Sequence, residues 1–264
     1  MDTGIALSAR GLRMEYRDRK SDTSLVAIES MDLDVADGEF VSLLGPSGCG
    51  KSTFLKIVNG LLKSTAGEIR LRSIGNSRED AMVFQDAALF PWYSILDNVA
   101  YGLVCAGVPR KEARARAVPL IDLVGLGGFA DKYPYQLSGG MQQRANLARA
   151  LAVDSEILLM DEPFASLDAQ TREVMQAELL RIWNAAKKTV IFVTHQIDEA
   201  VYLSDRVVVM SARPGRILAD IHIELPRPRE LNLKRSPEFA AYADQIWKLL
   251  TTHGVSIVAP PDKA

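Results

Sequence analysis

Gly45-Pro46-Ser47-Gly48-Cys49-Gly50-Lys51-Ser52-Thr53 decides how the rest of the chain is read. It fits a phosphate-binding loop, with Gly45, Gly50, Lys51 and Ser52 at the demanded spacing. Before it, Phe40-Val41-Ser42-Leu43-Leu44 is a short, mostly apolar run that reads as a buried strand. After it, Phe54, Val58, Leu61 and Leu62 recur at helical spacing, with Leu55 beside them. Strand, glycine loop and helix are the arrangement that triphosphate binding needs. Glycines let the backbone wrap round phosphate oxygens, and amides at the helix start point at the anion. Lys51 is then expected at the β- and γ-phosphates, and Ser52 as a hydroxyl ligand for Mg²⁺. A glycine-rich turn that matched by chance would lack this flanking strand and helix, so the chain is expected to bind a nucleoside triphosphate.

Bulk properties narrow the class. A chain of 264 residues can bury a good core, as one large domain or one domain with an inserted lobe. Lys+Arg 31 against Asp+Glu 33 leaves a formal charge of -2, which provides no global field for nucleic acid. The two cysteines, Cys49 inside the loop and Cys105, suggest no disulfide framework, and a reducing cytoplasm is the expected setting. No apolar run approaches a membrane span and the first twenty residues have no signal-peptide core, so any work at a membrane is expected to need other chains.

Outward from the loop, the chain alternates strands and helices. Residues 1–39 read as strands and turns ending at Asp37-Gly38, with Tyr16 on an early strand; alone, Tyr16 reads as an ordinary half-exposed tyrosine. Residues 67–72 and 81–84 read as strands, and Gln85 follows directly. Phe90-Pro91-Trp92-Tyr93 clusters three aromatics in a loop, either as a buried staple or as a contact for a partner. Residues 95–123 read as helix broken at Val108-Pro109, with a charged face from Lys111 to Arg116. Ser138-Gly139-Gly140 opens another helix, a second set of amides suited to an anion, or simply a cap.

Ile157-Leu158-Leu159-Met160 reads as a buried strand ending in Asp161-Glu162. Neighbours on an extended chain face different ways, so one carboxylate can serve Mg²⁺ while the other addresses a water, as triphosphate hydrolysis requires. Asp168 opens a helix with an apolar stripe of Met175, Leu179, Ile182, Trp183 and Ala186. Residues 189–193 form a third strand run, which places His195 just past its end, on the edge where ligands sit in such sheets. A lone histidine there is as often a packing residue. Residues 207–210 and 221–225 read as further strands, and Phe239, Ala243, Ile246, Trp247 and Leu250 as the apolar face of a last helix. The tail from Gly254 to Ala264 reads as loose.

In combination, residues 45–53, Gln85, Leu137 to Arg144, Asp161-Glu162, Asp168 and His195 resemble the ATPase subunit of ATP-binding cassette transporters. The Leu137-Ser138-Gly139-Gly140 signature separates that family from other phosphate-loop proteins, small-molecule kinases included. The resemblance implies an α/β fold: a phosphate-loop ATPase core with a β-rich N-terminal lobe and an inserted helical subdomain. It divides the chain into residues 1–85 (lobe and phosphate-loop part), 86–150 (helical subdomain with the signature), 151–220 (remainder of the core) and 221–264 (C-terminal extension). It places Tyr16 against adenine and Lys51 and Ser52 at phosphate and Mg²⁺. It also puts Gln85 at metal and water, Asp161 at the metal, Glu162 as catalytic base and His195 at the γ-phosphate. Ser138, Gly139 and Gly140 would clamp ATP held by a second copy in a head-to-tail dimer, with Asp168 on the loop crossing that interface.

A finer resemblance is to the importer branch for nitrate, sulfonates and taurine. It is carried by Phe84-Gln85-Asp86, Leu89 to Trp92, Leu96 to Val99, Arg213-Pro214-Gly215-Arg216 and Leu225 to Arg229. Two departures are Met141, where many cassettes have glutamine, and the short stretch between Leu71 and Ala81. The resemblance implies ATP and Mg²⁺ as cofactors and two membrane-spanning permease subunits, with a solute-binding protein as indirect partner and no nucleic acid. It also implies a peripheral position on the cytoplasmic face of the inner membrane. The alternative is a cassette ATPase not coupled to transport; such proteins usually carry two cassettes or a long coiled-coil insert, and this chain has one signature and no such insert.

Overall fold

The five residues of β3 (Phe40–Leu44) are all buried, because the strand lies inside a parallel sheet with both faces covered. Phe40 and Leu44 face one apolar cluster and Val41 and Leu43 the other, as the alternation of a strand requires. This is a computed structural model, describing residues 4–18, 23–72, 80–153 and 155–252. The tail from Gly254 to Ala264 and most of the stretch between Leu71 and Ala81 lie outside the described residues.

Beside β3 run β6 (Ile157–Asp161), β7 (Thr189–Thr194) and β8 (Arg206–Met210), with β5 (Asp80–Val83) at the edge beyond β6. β1 (Ile5–Asp18), β2 (Thr23–Ala36) and β4 (Ala66–Leu71) pair antiparallel and join through β9 (Gly215–His222). The described strands make one nine-stranded sheet in the order β4-β1-β2-β9-β8-β3-β7-β6-β5. The parallel strands therefore end together, with the phosphate loop, Asp161-Glu162 and His195 all at their carboxyl ends.

α1 (Lys51–Val58) packs Phe54, Leu55, Ile57 and Val58 inward. The expected continuation through Leu61 does not occur. Asn59 caps the helix, Gly60 turns at φ 77, and Leu61 is exposed, while Leu62 returns to pack on the core from outside the helix. α2 (Ile95–Cys105), α3 (Arg110–Leu123) and α4 (Gly139–Ala152) form the helical insert, broken at Val108-Pro109 as expected. α5 (Ala169–Ala186) and α6 (Ile197–Leu203) return to the sheet.

At the C-terminal end the strand expected over 221–225 is instead β9, starting at Gly215. Its antiparallel register with β8, Arg206 opposite His222, ends the pairing there. Beyond it the carbonyls of Ile223 and Leu225 bond the buried Arg229 guanidinium, which also holds the carbonyls of Val201, Tyr202 and Ser204. Burial lowers Arg229 to about 10. α7 (Pro237–Thr252) buries Phe239 and Ile246 and packs Tyr242, Leu249 and Leu250 against the core. That stripe turns Trp247 outward, contrary to expectation; it is 53% exposed, one residue off the buried position.

Candidate functional site

A cavity of about 380 Å³ lies over the phosphate loop, lined by Ser47, Gly48, Gly50, Lys51, Ser52 and Thr53 with Tyr16, Gln85, Glu162 and His195. Segments far apart in the chain meet there because the sheet brings their ends to one edge. Gly50 takes φ 98, and a side chain there would press on Ile28 and the Ala27 carbonyl, so only glycine lets the loop turn into α1. The Lys51 ammonium is buried under the loop, donating to the carbonyls of Gly45 at 2.6 Å and Pro46 at 3.0 Å. Gly45, Pro46 and Cys49 are thus the frame of the loop rather than its lining. The Tyr16 hydroxyl lies 3.2 Å from Thr53 Oγ1 and the residue is 39% exposed, leaving much of it open to the cavity.

Asp161 ends β6 almost fully buried, and Ser52 Oγ donates to its Oδ1 at 2.8 Å. Burial pushes the Asp161 carboxyl up; the Ser52 hydrogen bond and Lys56 and Lys51 oppose this, while Glu162 adds to it. Such a carboxylate gains from a cation. Among the described residues no three of His, Cys, Asp and Glu converge as a metal cage. Ser52, bonded to Asp161, and Gln85 in the cavity lining offer oxygen donors of the kind Mg²⁺ takes, an ion that uses one or two protein ligands and fills its shell with phosphate and water.

Glu162 adopts φ 45, a left-handed conformation uncommon for a residue with a Cβ. Its amide still donates to the Val193 carbonyl at 3.0 Å, so the sheet holds the backbone while the turn swings the side chain into the cavity. There its Oε2 meets His195 Nδ1 at 3.1 Å. The two residues the sequence left as adjacent-acid and lone-histidine candidates are one contact, and strain at this position is of the kind that functional sites keep.

Ser138, Gly139, Gly140 and Asp168 are not in this cavity. Ser138 caps α4, accepting from the Met141 amide at 3.3 Å, and Asp168 caps α5, accepting from Thr171 at 3.0 Å. Gly140 lies against the segment before Asp168, since a side chain there would meet Leu167 at 3.2 Å. The two groups are linked: Gln143 and Asn146 on α4 both donate to the Phe84 carbonyl, next to Gln85. Sequence reasoning missed Leu25, Ala27 and Arg213 as cavity lining. Arg213, quoted above only for a motif, donates to the Gly48 carbonyl at 3.2 Å, a tertiary contact that no spacing signals.

A larger cavity, about 480 Å³, lies between β5 and the helical insert and holds none of the phosphate-loop residues. Phe90 lines it, 4.6 Å from the Tyr101 ring and under Arg149. Trp92 beside it is 66% exposed. Phe90 is thus the ring held against Tyr101 and Arg149, while Trp92 packs on Phe90 at 5.6 Å and on Tyr93 at 6.3 Å and leaves most of its surface exposed.

Comparison with known proteins agrees with this geometry. The ABC transporter family profile matches residues 28–165. An uncharacterized ABC transporter ATP-binding protein of Methanocaldococcus jannaschii is 52% identical over 85% of this chain and 84% of its own length. The taurine import ATP-binding protein of Rhizobium johnstonii is 46% identical, covering 85% of this chain and 88% of the relative. The nitrate import ATP-binding protein of Synechocystis sp. is 42% identical, covering 86% and 89%. Among solved structures, a dimeric ATP-binding cassette in a post-hydrolysis state with ADP and Pi aligns with a TM-score of 0.75 at 31% identity. That alignment covers 83% of this chain and all of the other.

Proposed function

This chain belongs to the ABC transporter family and is the ATP-binding, ATP-hydrolysing subunit of an importer, and we propose that its cargo is a small anion such as taurine, another sulfonate or nitrate. The observation that supports this cargo is the likeness to both a taurine and a nitrate import subunit over more than four-fifths of the chain. The chain itself contributes the motor. Lys51 and the amides of the loop residues that line the cavity, Ser47, Gly48 and Gly50 to Thr53, bind the phosphates, and Tyr16 stacks on the base. Ser52, Asp161 and Gln85 would hold Mg²⁺, which when bound neutralises charge on the phosphates. Glu162 accepts the proton of the attacking water as general base. His195, in contact with Glu162, orients that carboxylate and faces the γ-phosphate.

Two copies pair head to tail, so that Ser138, Gly139 and Gly140 of one close over the triphosphate of the other and Asp168 lies at their interface. Dimeric solved relatives support that pairing. Residues 1–85 and 151–220 supply the core, 86–150 the helical insert and 221–264 the extension. No described helix is long and apolar enough to cross a membrane. Two permease subunits therefore provide the path, the chain docks on their cytoplasmic face, and a separate solute-binding protein delivers the anion. The groove beside Phe90, with Trp92 at its edge, is where a permease helix docks.

The test is uptake of radiolabelled taurine, an alkanesulfonate and nitrate by cells with and without this chain. Loss of one of the three on deletion, restored by the wild-type chain and not by Glu162→Gln, is the expected result. Unchanged uptake of all three overturns the cargo assignment while leaving the ATPase assignment standing.

A further inference from the structure

Glu199 is a buried carboxylate that the hydrolysis site described above does not use. It lies in the first turn of α6, which begins just after His195. Its Oε2 accepts from Thr194 Oγ1 at 2.6 Å and its Oε1 from Gln176 Nε2 at 3.2 Å. Thr194 Oγ1 in turn accepts from the Gln196 amide at 3.0 Å. A hydroxyl has one proton, so once Thr194 gives it to Glu199 its lone pairs are left to face the Gln196 amide. The residues on either side of His195 are therefore tied by one hydrogen bond, and Glu199 holds the Thr194 hydroxyl in the orientation that accepts it.

Arg172 adds a second hold from α5. Its Nε lies 3.8 Å from Glu199 Oε1, and Nη1 donates to Gln196 Oε1 at 3.1 Å. Its Nη2 donates to the Leu167 carbonyl at 2.8 Å and Nε to that of Phe164 at 3.3 Å. The same cluster thus grips the turn carrying His195 and the segment between Glu162 and Asp168. Burial pushes the Glu199 carboxyl up, and the Thr194 hydrogen bond and Arg172 oppose it. A group held at that cost in the core is worth an explanation beyond packing.

On the far side of Gln176 stands Lys234, in the short turn Leu231–Arg235 of the C-terminal extension. Its Nζ donates to Gln176 Oε1 at 2.8 Å and lies 4.7 Å from the Tyr202 ring. The Gln176 amide is therefore oriented from both ends, by Lys234 and by Glu199. A continuous chain of hydrogen bonds runs from the extension to the backbone that presents His195.

We propose that Glu199 is a positioning residue for His195, and that Lys234 makes the C-terminal extension a working part of that hold. The inference rests on the reading of His195 and Glu162 as the hydrolytic pair. Neither Glu199 nor Lys234 lines the nucleotide cavity, so both act on turnover and not on ATP binding.

The test is a set of mutant cycles on MgATP hydrolysis by the full-length chain. Glu199→Gln is expected to lower kcat about tenfold with KM for ATP unchanged, and Thr194→Val to lower it by a similar factor. In a His195→Ala background neither should cost anything further, because a residue that acts through His195 has nothing left to position. Lys234→Met is expected to lower kcat about threefold, and Lys234→Arg to restore it. Equal losses in both backgrounds, or a raised KM with kcat kept, overturn the positioning role. Wild-type turnover in Lys234→Met overturns the part assigned to the extension. If His195→Ala itself turns over normally, the reading of the hydrolytic pair fails and the inference falls with it, an outcome distinct from the others.

Discussion

At the start of α1, Gly50 turns left-handed with no side chain capping the helix, whereas at the start of α4 the Ser138 hydroxyl accepts from the Met141 amide. Both starts carry glycines and exposed amides, and both read from sequence as anion sites. The first is surrounded: Lys51 beneath it, Asp161 and Glu162 beside it, Tyr16 and Arg213 around the rim. At the second, the loop before Asp168 lies against Gly140, and among the described residues a side chain on Gly139 would meet nothing within 4 Å. An anion at the first start finds charge, donors and a base in one chain. At the second it finds amides and the Ser138 hydroxyl at an exposed helix start, which suits a surface that completes a site on another copy.

The largest expected effect separates binding from chemistry within the first region. Glu162→Gln should keep ATP affinity while turnover falls by about 10²–10⁴, the range for loss of a general base. Lys51→Ala should weaken nucleotide binding itself, since it removes the cation under the loop. Nucleotide titration beside steady-state ATPase on the two variants checks the contrast, and normal turnover by Glu162→Gln removes it from the base role.

Ser138→Arg challenges the second region. It should cripple hydrolysis by blocking closure of the dimer, yet leave ATP binding by the single chain near wild type. Mixing Lys51→Ala and Ser138→Arg chains then builds one intact composite site per mixed dimer. Cysteines at Ser47 and Gly139, in a Glu162→Gln background, should crosslink between copies when ATP is present; a link only within one chain, or none, breaks the comparison drawn above.

Smaller effects lie at the edges of the first region. Trp92→Ala should weaken assembly with the permease about tenfold or more, the scale of a hot-spot aromatic, without shifting the Tm of the isolated chain. Phe90→Ala should lower that Tm instead, because Phe90 packs on Tyr101. Smallest is a stability gain from Asp161→Asn. The folded Asp161 carboxyl is raised, so the native state binds its proton more tightly than the unfolded chain. Its contribution to stability therefore falls as pH rises from the ordinary carboxylate range through the raised folded value. At neutral pH the nucleotide-free variant should melt a few degrees higher while losing ATPase activity, and thermal melts across pH should show the gap closing in acid.

Local chemistry made much of this protein legible. Glycine spacing, a strand before and a helix after identified the phosphate loop, and Asp161-Glu162 at a strand end marked the acids. The break at Val108-Pro109 and the turn at Asp37-Gly38 were equally readable, because proline and glycine act on their own backbone. Where the reading failed, an apolar pattern had been carried past a turn or onto a face that packing does not bury. Leu61 kept helical spacing, yet Asn59-Gly60 ended α1 before it. Trp247 looked like part of the apolar face with Ile246, yet packing on α6 and the sheet buried Ile246 and left Trp247 exposed.

The site divides along the same line. Residue type and spacing marked the candidates: the glycine loop with Lys51 and Ser52 for phosphate and metal, and Asp161-Glu162 for metal and water, since each motif lies within a few positions of the chain. Only the tertiary structure decided that His195 touches Glu162, that Arg213 reaches the phosphate loop, and that Lys234 is tied through Gln176 to Glu199. Those contacts join residues remote in sequence, fixed by strand order and by which faces the sheet buries, and a linear pattern holds no record of either.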